Sequence, residues 1–128
     1  EFKFLRFENR RVIHVPTGSF MYYPNLGYGP NHQFTYFNGD CYTKIYGGLL
    51  VENIIQWLAR LTVAEQMRVI NHDWRVVMMS HDEVAALAPE AQGEQCLSEM
   101  IQHMSTPPAW GPDFPCGAEG GFDNFYSK

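Results

Sequence analysis

Residues 81–83 read His-Asp-Glu, the group in this chain with the greatest capacity for chemistry. Two carboxylates close to a buried surface repel each other and lose hydration, and a divalent cation offsets both costs. Oxygen ligands on a rigid support suit Mg²⁺, which binds one or two carboxylates and keeps room for substrate phosphates. The alternative interpretation is a solvated turn that happens to be acidic.

A second candidate group is Glu52, Gln56 and Arg60, which recur every four residues and therefore share one face of a helix. This spacing also fits an ordinary solvent face with a weak Glu–Arg network. In a functional interpretation, Gln56 donates a hydrogen bond to the minor-groove edge of DNA, where the acceptors are the same for all base pairs.

Basic and aromatic side chains alternate near the start of the chain, and the basic ones are Lys3, Arg6, Arg10 and Arg11. Such a mixture can bind nucleic acid by charge and stacking. A strand with Lys or Arg on its solvated face is far more common. Both interpretations stay open at this point.

The periodicity of apolar residues predicts the elements that position these groups. Before residue 47 it is typical of β-structure, with Asn38-Gly39 as a hairpin turn because both residues tolerate positive φ. Residues 25–31 are rich in Gly, Pro and Asn and predict a loop. The predicted strands are residues 2–7, 11–15, 20–23, 33–37 and 41–45.

After the glycine pair at residues 47–48 the period becomes helical, which predicts one continuous helix over residues 49–70. The nearly continuous apolar runs at residues 74–79 and 84–88 predict two strands that are buried on both faces. The His-Asp-Glu group would then lie at the tip of an apolar hairpin, where no Gly or Asn supplies the positive φ that tight turns favour.

A second helix is expected to have Pro89 in its first turn and to end near Met104. Its inward residues are expected to be Cys96, Leu97, Met100 and Ile101, and the tail after it to be irregular or to end in a short strand. The predicted fold class is α+β, with a mainly antiparallel sheet that carries the hairpin and with one long and one shorter helix packed on one face.

The composition suits one domain over residues 1–128, since 45% of the residues are apolar. No apolar run is long enough to span a membrane, and the first residues do not have the pattern of a signal peptide. Three scattered cysteines, Cys41, Cys96 and Cys116, predict reduced thiols in an intracellular protein. The formal net charge of −5 argues against a free-standing nucleic-acid binder and fits the metal-gathering part of a larger DNA enzyme.

Several stretches resemble phage-type family A DNA polymerases, which are related to DNA polymerase I. Residues 46–60 resemble the helix before the second catalytic motif, and residues 79–84 resemble motif C, a His-Asp-Glu on a β-turn. Residues 104–110 and 118–120 resemble the C-terminus of the same group, and residues 15–23 its upstream strand region. The order and spacing of these stretches imply the C-terminal part of a polymerase palm, with a β-rich region at residues 1–46 and the helix, hairpin, helix and tail at residues 47–128.

The resemblance implies a role for each matching residue. Asp82 matches the motif C aspartate that binds catalytic Mg²⁺, and Glu83 matches its supporting acidic neighbour. His81 matches the histidine beside the 3′ end of the primer. Gln56 matches the helix glutamine that contacts the duplex in the minor groove, and we assign Arg60 to DNA contact with it.

The implied activity is two-metal nucleotidyl transfer in DNA replication, with primer–template DNA and a deoxynucleoside triphosphate as partners. This chain would supply one of the metal-binding strands. The family's Asp-Tyr-Ser strand (motif A) and its cationic fingers helix lie upstream of such a segment and are absent here. We therefore expect the isolated chain to be inactive, to act with the remaining palm, fingers and thumb parts, and to self-associate through exposed apolar surface. The expected location is the cytoplasm of a phage-infected or prophage-bearing bacterial cell.

Two other classes stay open. The chain could be a non-catalytic, palm-derived structural or interaction module, which differs from the polymerase interpretation in lacking a partner chain with the missing parts. It could also be a small metal-dependent hydrolase, which would need ligands beyond residues 81–83.

Glu52 stands where cellular polymerases favour Asn, and the phage-type members resemble this chain there.

Overall fold

The structure is a computed structural model that describes residues 3–29 and 32–126. Contacts between Cα atoms divide the chain into two compact units, Glu1–Leu58 and Ala59–Lys128. The described strands pair only with antiparallel neighbours, and the described helices are one long and one short. The predicted α+β class with antiparallel strands is therefore confirmed.

The first unit contains two antiparallel sheets. One has the order β1 (Leu5–Glu8), β2 (Arg11–His14) and β3 (Phe20–Tyr22). The other has the order β4 (Gly27–Tyr28), β5 (Phe34–Phe37) and β6 (Tyr42–Lys44). The short strand β4 lies inside the segment that was predicted to be only a loop. Phe2 of the first predicted strand, and Pro30 and Asn31 of that loop, lie outside the described residues.

Turn residues set the register of these sheets. Asn9 and Arg10 both have positive φ, 48° and 62°, and connect the paired residues Glu8 and Arg11 as a two-residue hairpin turn. Positive φ at both central positions matches the right-handed twist of the flanking strands. The predicted turn at Asn38 is also present, although it opens into a four-residue loop because β6 begins at Tyr42.

The core of the first unit joins the strands to the start of the long helix. Its buried residues are Leu5, Val12, Tyr23, Ile45 and Ile54. Asn53 Nδ2 donates a 3.2 Å hydrogen bond to the hydroxyl of Tyr23, which ties the helix to the end of the first sheet. Apolar residues from strands distant in sequence thus cover the first turns of this helix.

The long helix α1 spans Gly47–Asp73. It is continuous, as predicted, because no proline and no internal glycine interrupts its hydrogen-bond ladder after the first turn. It begins two residues earlier than predicted, since the glycine pair forms its first turn instead of preceding it. Ile70, near its end, is fully buried.

The second unit continues with β7 (Arg75–Ser80) and β8 (Glu83–Leu87), which form a two-stranded antiparallel sheet of their own. The prediction that both strands are buried on both faces is wrong: Val77 is 51% exposed and Leu87 is 56% exposed. In β7 only Arg75 and Val77 are exposed, and the other four residues are half-buried. A register shift at Val77 adds a β-bulge, which bends the strand.

The second helix differs in its first turn. Pro89 has an extended backbone, with φ −57° and ψ 142°, and precedes a 3-10 turn, Glu90–Gln92. The α-helix α2 then spans Gly93–Met104 and buries Cys96. The tail after α2 is irregular, as predicted. Among the described residues, no helix is both long and apolar enough to cross a bilayer.

Candidate active site

The hairpin between β7 and β8 places the His-Asp-Glu group at its tip. Ser80 pairs with Glu83, so His81 and Asp82 alone form the turn. His81 has a φ of 54°, in the left-handed region that glycine favours. A side chain held there costs about 1–2 kcal/mol, and such strain is concentrated at functional sites. The poor turn chemistry of the sequence thus corresponds to a strained backbone at the first residue of the group.

The side chains at this tip are accessible. His81 and Asp82 are exposed, and Glu83 is half-buried as the first residue of β8. Asp82 lies in the turn and Glu83 follows it as the first residue of β8, so the two carboxylates are adjacent in sequence. The structure therefore leaves His81 and Asp82 exposed at the tip and Glu83 half-buried at the start of β8.

The fit of these ligands to a metal is partial. In the part of the chain that the structure describes, no group of three or more His, Cys, Asp or Glu side chains could hold a metal ion. Two carboxylate groups match the usual protein contribution to Mg²⁺, which keeps several waters and substrate phosphates in its octahedral shell. The hairpin itself carries two carboxylate side chains, those of Asp82 and Glu83.

The C-terminal tail adds a contact that the sequence did not predict. The hydroxyl of Tyr126 donates a 3.0 Å hydrogen bond to Oε2 of Glu83. The two residues are 43 positions apart, and neither periodicity nor a motif joins them. The aromatic character of the tail was the only sequence signal near this contact.

The second candidate group lies on α1 as predicted. Glu52, Gln56 and Arg60 are all exposed. Gln56 Nε2 donates a 3.2 Å hydrogen bond to Oε1 of Glu52, which confirms that residues four apart share this face. Gln56 keeps further donor capacity, because an amide nitrogen carries two hydrogens.

Two basic residues of the first sheet, Arg6 and Arg11, contact side chains of the same sheet. Arg6 forms a 3.2 Å ion pair with Glu8. The guanidinium of Arg11 lies 4.6 Å from the ring centre of Phe20 and 5.7 Å from that of Tyr22. Cation–π contacts of this length stabilise an exposed sheet face by about 0.5–1 kcal/mol.

The two units differ in charge. Residues 1–58 carry five basic and four acidic side chains, whereas residues 59–128 carry four basic and ten acidic ones. The net charge of −5 therefore comes from the unit that contains the hairpin. An acidic surface of this kind attracts cations and repels the DNA backbone unless bound metal or other basic surfaces compensate.

Comparison with known proteins finds a phage DNA polymerase. The chain is similar to the DNA polymerase of Bacillus phage SP02, with 38% identity over 84 residues. The matched segment covers 65% of this chain and 13% of that polymerase. No protein-family model matches the chain, and no solved structure matches it. The similarity supports the interpretation of this chain as a DNA polymerase fragment.

Proposed function

We propose that this chain is the motif C portion of a phage-type family A DNA polymerase palm and supplies metal-binding carboxylates for nucleotidyl transfer. The observation that carries the proposal is the accessible His-Asp-Glu group at the tip of the β7–β8 hairpin. The similarity to a phage DNA polymerase supports the same interpretation. DNA and deoxynucleoside triphosphates are the corresponding substrates.

Each residue of the hairpin has a part in this proposal. Two bound Mg²⁺ ions would stabilise the attacking 3′-oxygen and the leaving pyrophosphate. Asp82 would hold metal with its exposed carboxylate, and Glu83, half-buried and hydrogen-bonded, would add a supporting ligand. His81 would contact the 3′ end of the primer from the first position of the turn.

The exposed face of α1 would contact DNA. Gln56 can donate to the acceptors that every base pair presents in the minor groove. Arg60, one turn further along the same helix, would bind phosphate. Neither contact reads the sequence, as expected for an enzyme that copies any template.

The most direct test replaces the matched segment of the SP02 polymerase with the corresponding residues of this chain. Mg²⁺-dependent primer extension by this chimera is the expected result, and Asp82→Ala should abolish it by lowering the rate at least a hundredfold. Asp73→Ala, an exposed acid at the end of α1, is the matched control and should leave synthesis unchanged. A folded chimera in which Asp82→Ala synthesises DNA normally would refute the assignment.

The isolated chain should not polymerise, because it provides only part of a metal shell and lacks sequences that resemble motif A or the fingers helix. Template-directed incorporation by the purified chain alone would contradict this part of the proposal. We also propose that the exposed apolar face that includes Val77 packs against the remaining polymerase parts, or self-associates without them. Light scattering that shows a monomer at high concentration would refute self-association.

The alternative is a non-catalytic, palm-derived interaction module. The observation in its favour is that the described residues place fewer than three candidate metal ligands together. The chimera separates the two: a module would fold and keep its surface contacts, whereas only the catalytic fragment would restore Mg²⁺-dependent synthesis.

A further inference from the structure

Within the second unit, the tail after α2 runs back toward the β7–β8 hairpin. A groove of about 800 Å³ is lined by β8, α2 and the tail, including Phe122 and Tyr126. The backbone N–H of Ala118 donates a 3.1 Å hydrogen bond to Oγ of Ser105, just after α2, and fixes the start of this return. The tail thus follows α2 back to the level of the hairpin.

Phe122 of the tail packs against Gly93, the first residue of α2. A Cβ atom built on Gly93 would lie 2.9 Å from Cδ2 and 3.0 Å from Cε2 of Phe122. No side chain larger than hydrogen fits there unless the ring moves. Gly120 is similarly close to Leu97, whose Cδ1 would be 3.1 Å from an added Cβ. Small residues at these two contacts let the tail backbone approach the helix.

The tail ends with a polar contact at the proposed metal site. Tyr126 donates its hydroxyl proton to Oε2 of Glu83 at 3.0 Å. A carboxylate that accepts such a bond at one oxygen is restricted in rotation. Hydrogen-bond partners behind a metal-binding side chain orient it and raise its affinity for the ion.

We propose that Tyr126 is a positioning residue that orients the Glu83 carboxylate for divalent metal binding. We also propose that the packing of Phe122 against Gly93 holds the tail where Tyr126 reaches Glu83. This inference rests on the proposed function of Asp82 and Glu83. It assigns the C-terminal tail a role in the metal site that the hairpin sequence alone does not indicate.

The test is a Mn²⁺ titration of the ¹⁵N-labelled chain, followed by paramagnetic broadening of the amide signals of residues 81–83. Removal of such a partner typically weakens metal binding about 10–100-fold; because Tyr126 is 56% exposed, we expect Tyr126→Phe to raise the apparent Kd about three- to tenfold. Tyr42→Phe, at a residue that is 62% exposed in the first unit, is the matched control and should not change it.

A second pair of variants tests the contact between Gly93 and Phe122 without altering Tyr126. Gly93→Ala should displace Phe122 and raise the Kd by a similar factor, and combining it with Tyr126→Phe should add little, because both remove the same contact. Gly117→Ala is the control, since a Cβ there meets nothing within 4 Å. Additive effects of Gly93→Ala and Tyr126→Phe on the Kd would show that the Gly93–Phe122 contact does not position Tyr126.

The outcomes separate this inference from the proposed function. If the chain binds Mn²⁺ at the hairpin and Asp82→Ala removes the binding, but Tyr126→Phe leaves the Kd unchanged, the positioning role is wrong and the metal site stands. If Mn²⁺ broadens no hairpin signal, or if Asp82→Ala leaves the broadening intact, the positioning role is wrong, and primer extension by the chimera decides the metal site separately.

Discussion

Gln66 offers a sharp test of how the second unit is held together. It lies on α1 and is only 8% exposed. Its Nε2 donates hydrogen bonds to the carbonyl oxygens of Met104, at 2.9 Å, and Thr106, at 3.0 Å. These carbonyls belong to the end of α2 and the residues that follow, where the helix ladder leaves acceptors unsatisfied. One buried amide therefore caps a helix 38 residues away.

The variant Gln66→Met keeps the length of the side chain and removes both donors. Each lost hydrogen bond costs about 1 kcal/mol net, and carbonyls left without a partner in a partly buried site add about 1 kcal/mol more. The free energy of unfolding should fall by about 2–3 kcal/mol on this basis. The methionine side chain is more favourably buried than the glutamine, which offsets part of the loss. The decrease in the free energy of unfolding should therefore not exceed this range.

The matched control is Gln56→Met, ten residues earlier on the same helix. Gln56 is exposed and bonds only to the exposed Glu52 in the described contacts of this face, so its loss should cost no more than about 0.5 kcal/mol. Urea denaturation followed by circular dichroism gives both values from the midpoint and the slope of the transition. Equal stabilities of the two variants, or a loss below about 0.5 kcal/mol for Gln66→Met, would refute the capping argument.

Three further predictions concern single side chains. His81→Gly should raise the free energy of unfolding by up to about 1 kcal/mol, because it releases left-handed strain and loses part of that gain to the flexible unfolded chain; a clear loss of stability in urea would contradict the strain. Burial, and then the negative charge of Glu99, raises the pKa of the Cys96 thiol, so iodoacetamide should modify the exposed Cys41 well before Cys96. A raised pKa means that the Cys96 thiol keeps its proton to higher pH in the folded state than in the unfolded state. Its contribution to the free energy of unfolding should be fully present below the unfolded pKa and should be lost as the pH rises through the folded pKa. A Cys96→Ser variant should not show this pH dependence. Trp74→Phe should cost about 1–2 kcal/mol in urea, since the indole N–H donates a 2.7 Å hydrogen bond to the carboxylate of Glu99, and an unchanged midpoint would argue against this contact.

The long helix and the hairpin show how far local patterns reach. The 3.6-residue period of α1 and the apolar runs of β7 and β8 each depend on neighbouring residues, so the sequence predicted their types and most of their bounds. The position of His81, Asp82 and Glu83 at a turn followed from the same pattern. The face shared by Glu52 and Gln56 followed from the helical period alone.

The exposure of β7 shows where this reasoning ends. An apolar run predicts burial, but burial depends on which other segments cover the strand, and that is a property of contacts distant in sequence. Val77 stays exposed, and a bulge that no local signal announces shifts its register. Pro89 likewise fits a helix start by type, and its extended backbone places a 3-10 turn before α2 instead.

The sequence by itself determined the long helix and the β7–β8 hairpin with His81 and Asp82 at its tip, because these features depend on residues within a few positions of each other. The tertiary structure alone decided that Tyr126 bonds to Glu83 and that Gln66 caps the end of α2. These contacts join residues about 40 positions apart, and a hydrogen bond between such residues forms only when packing of the intervening elements brings donor and acceptor within about 3 Å.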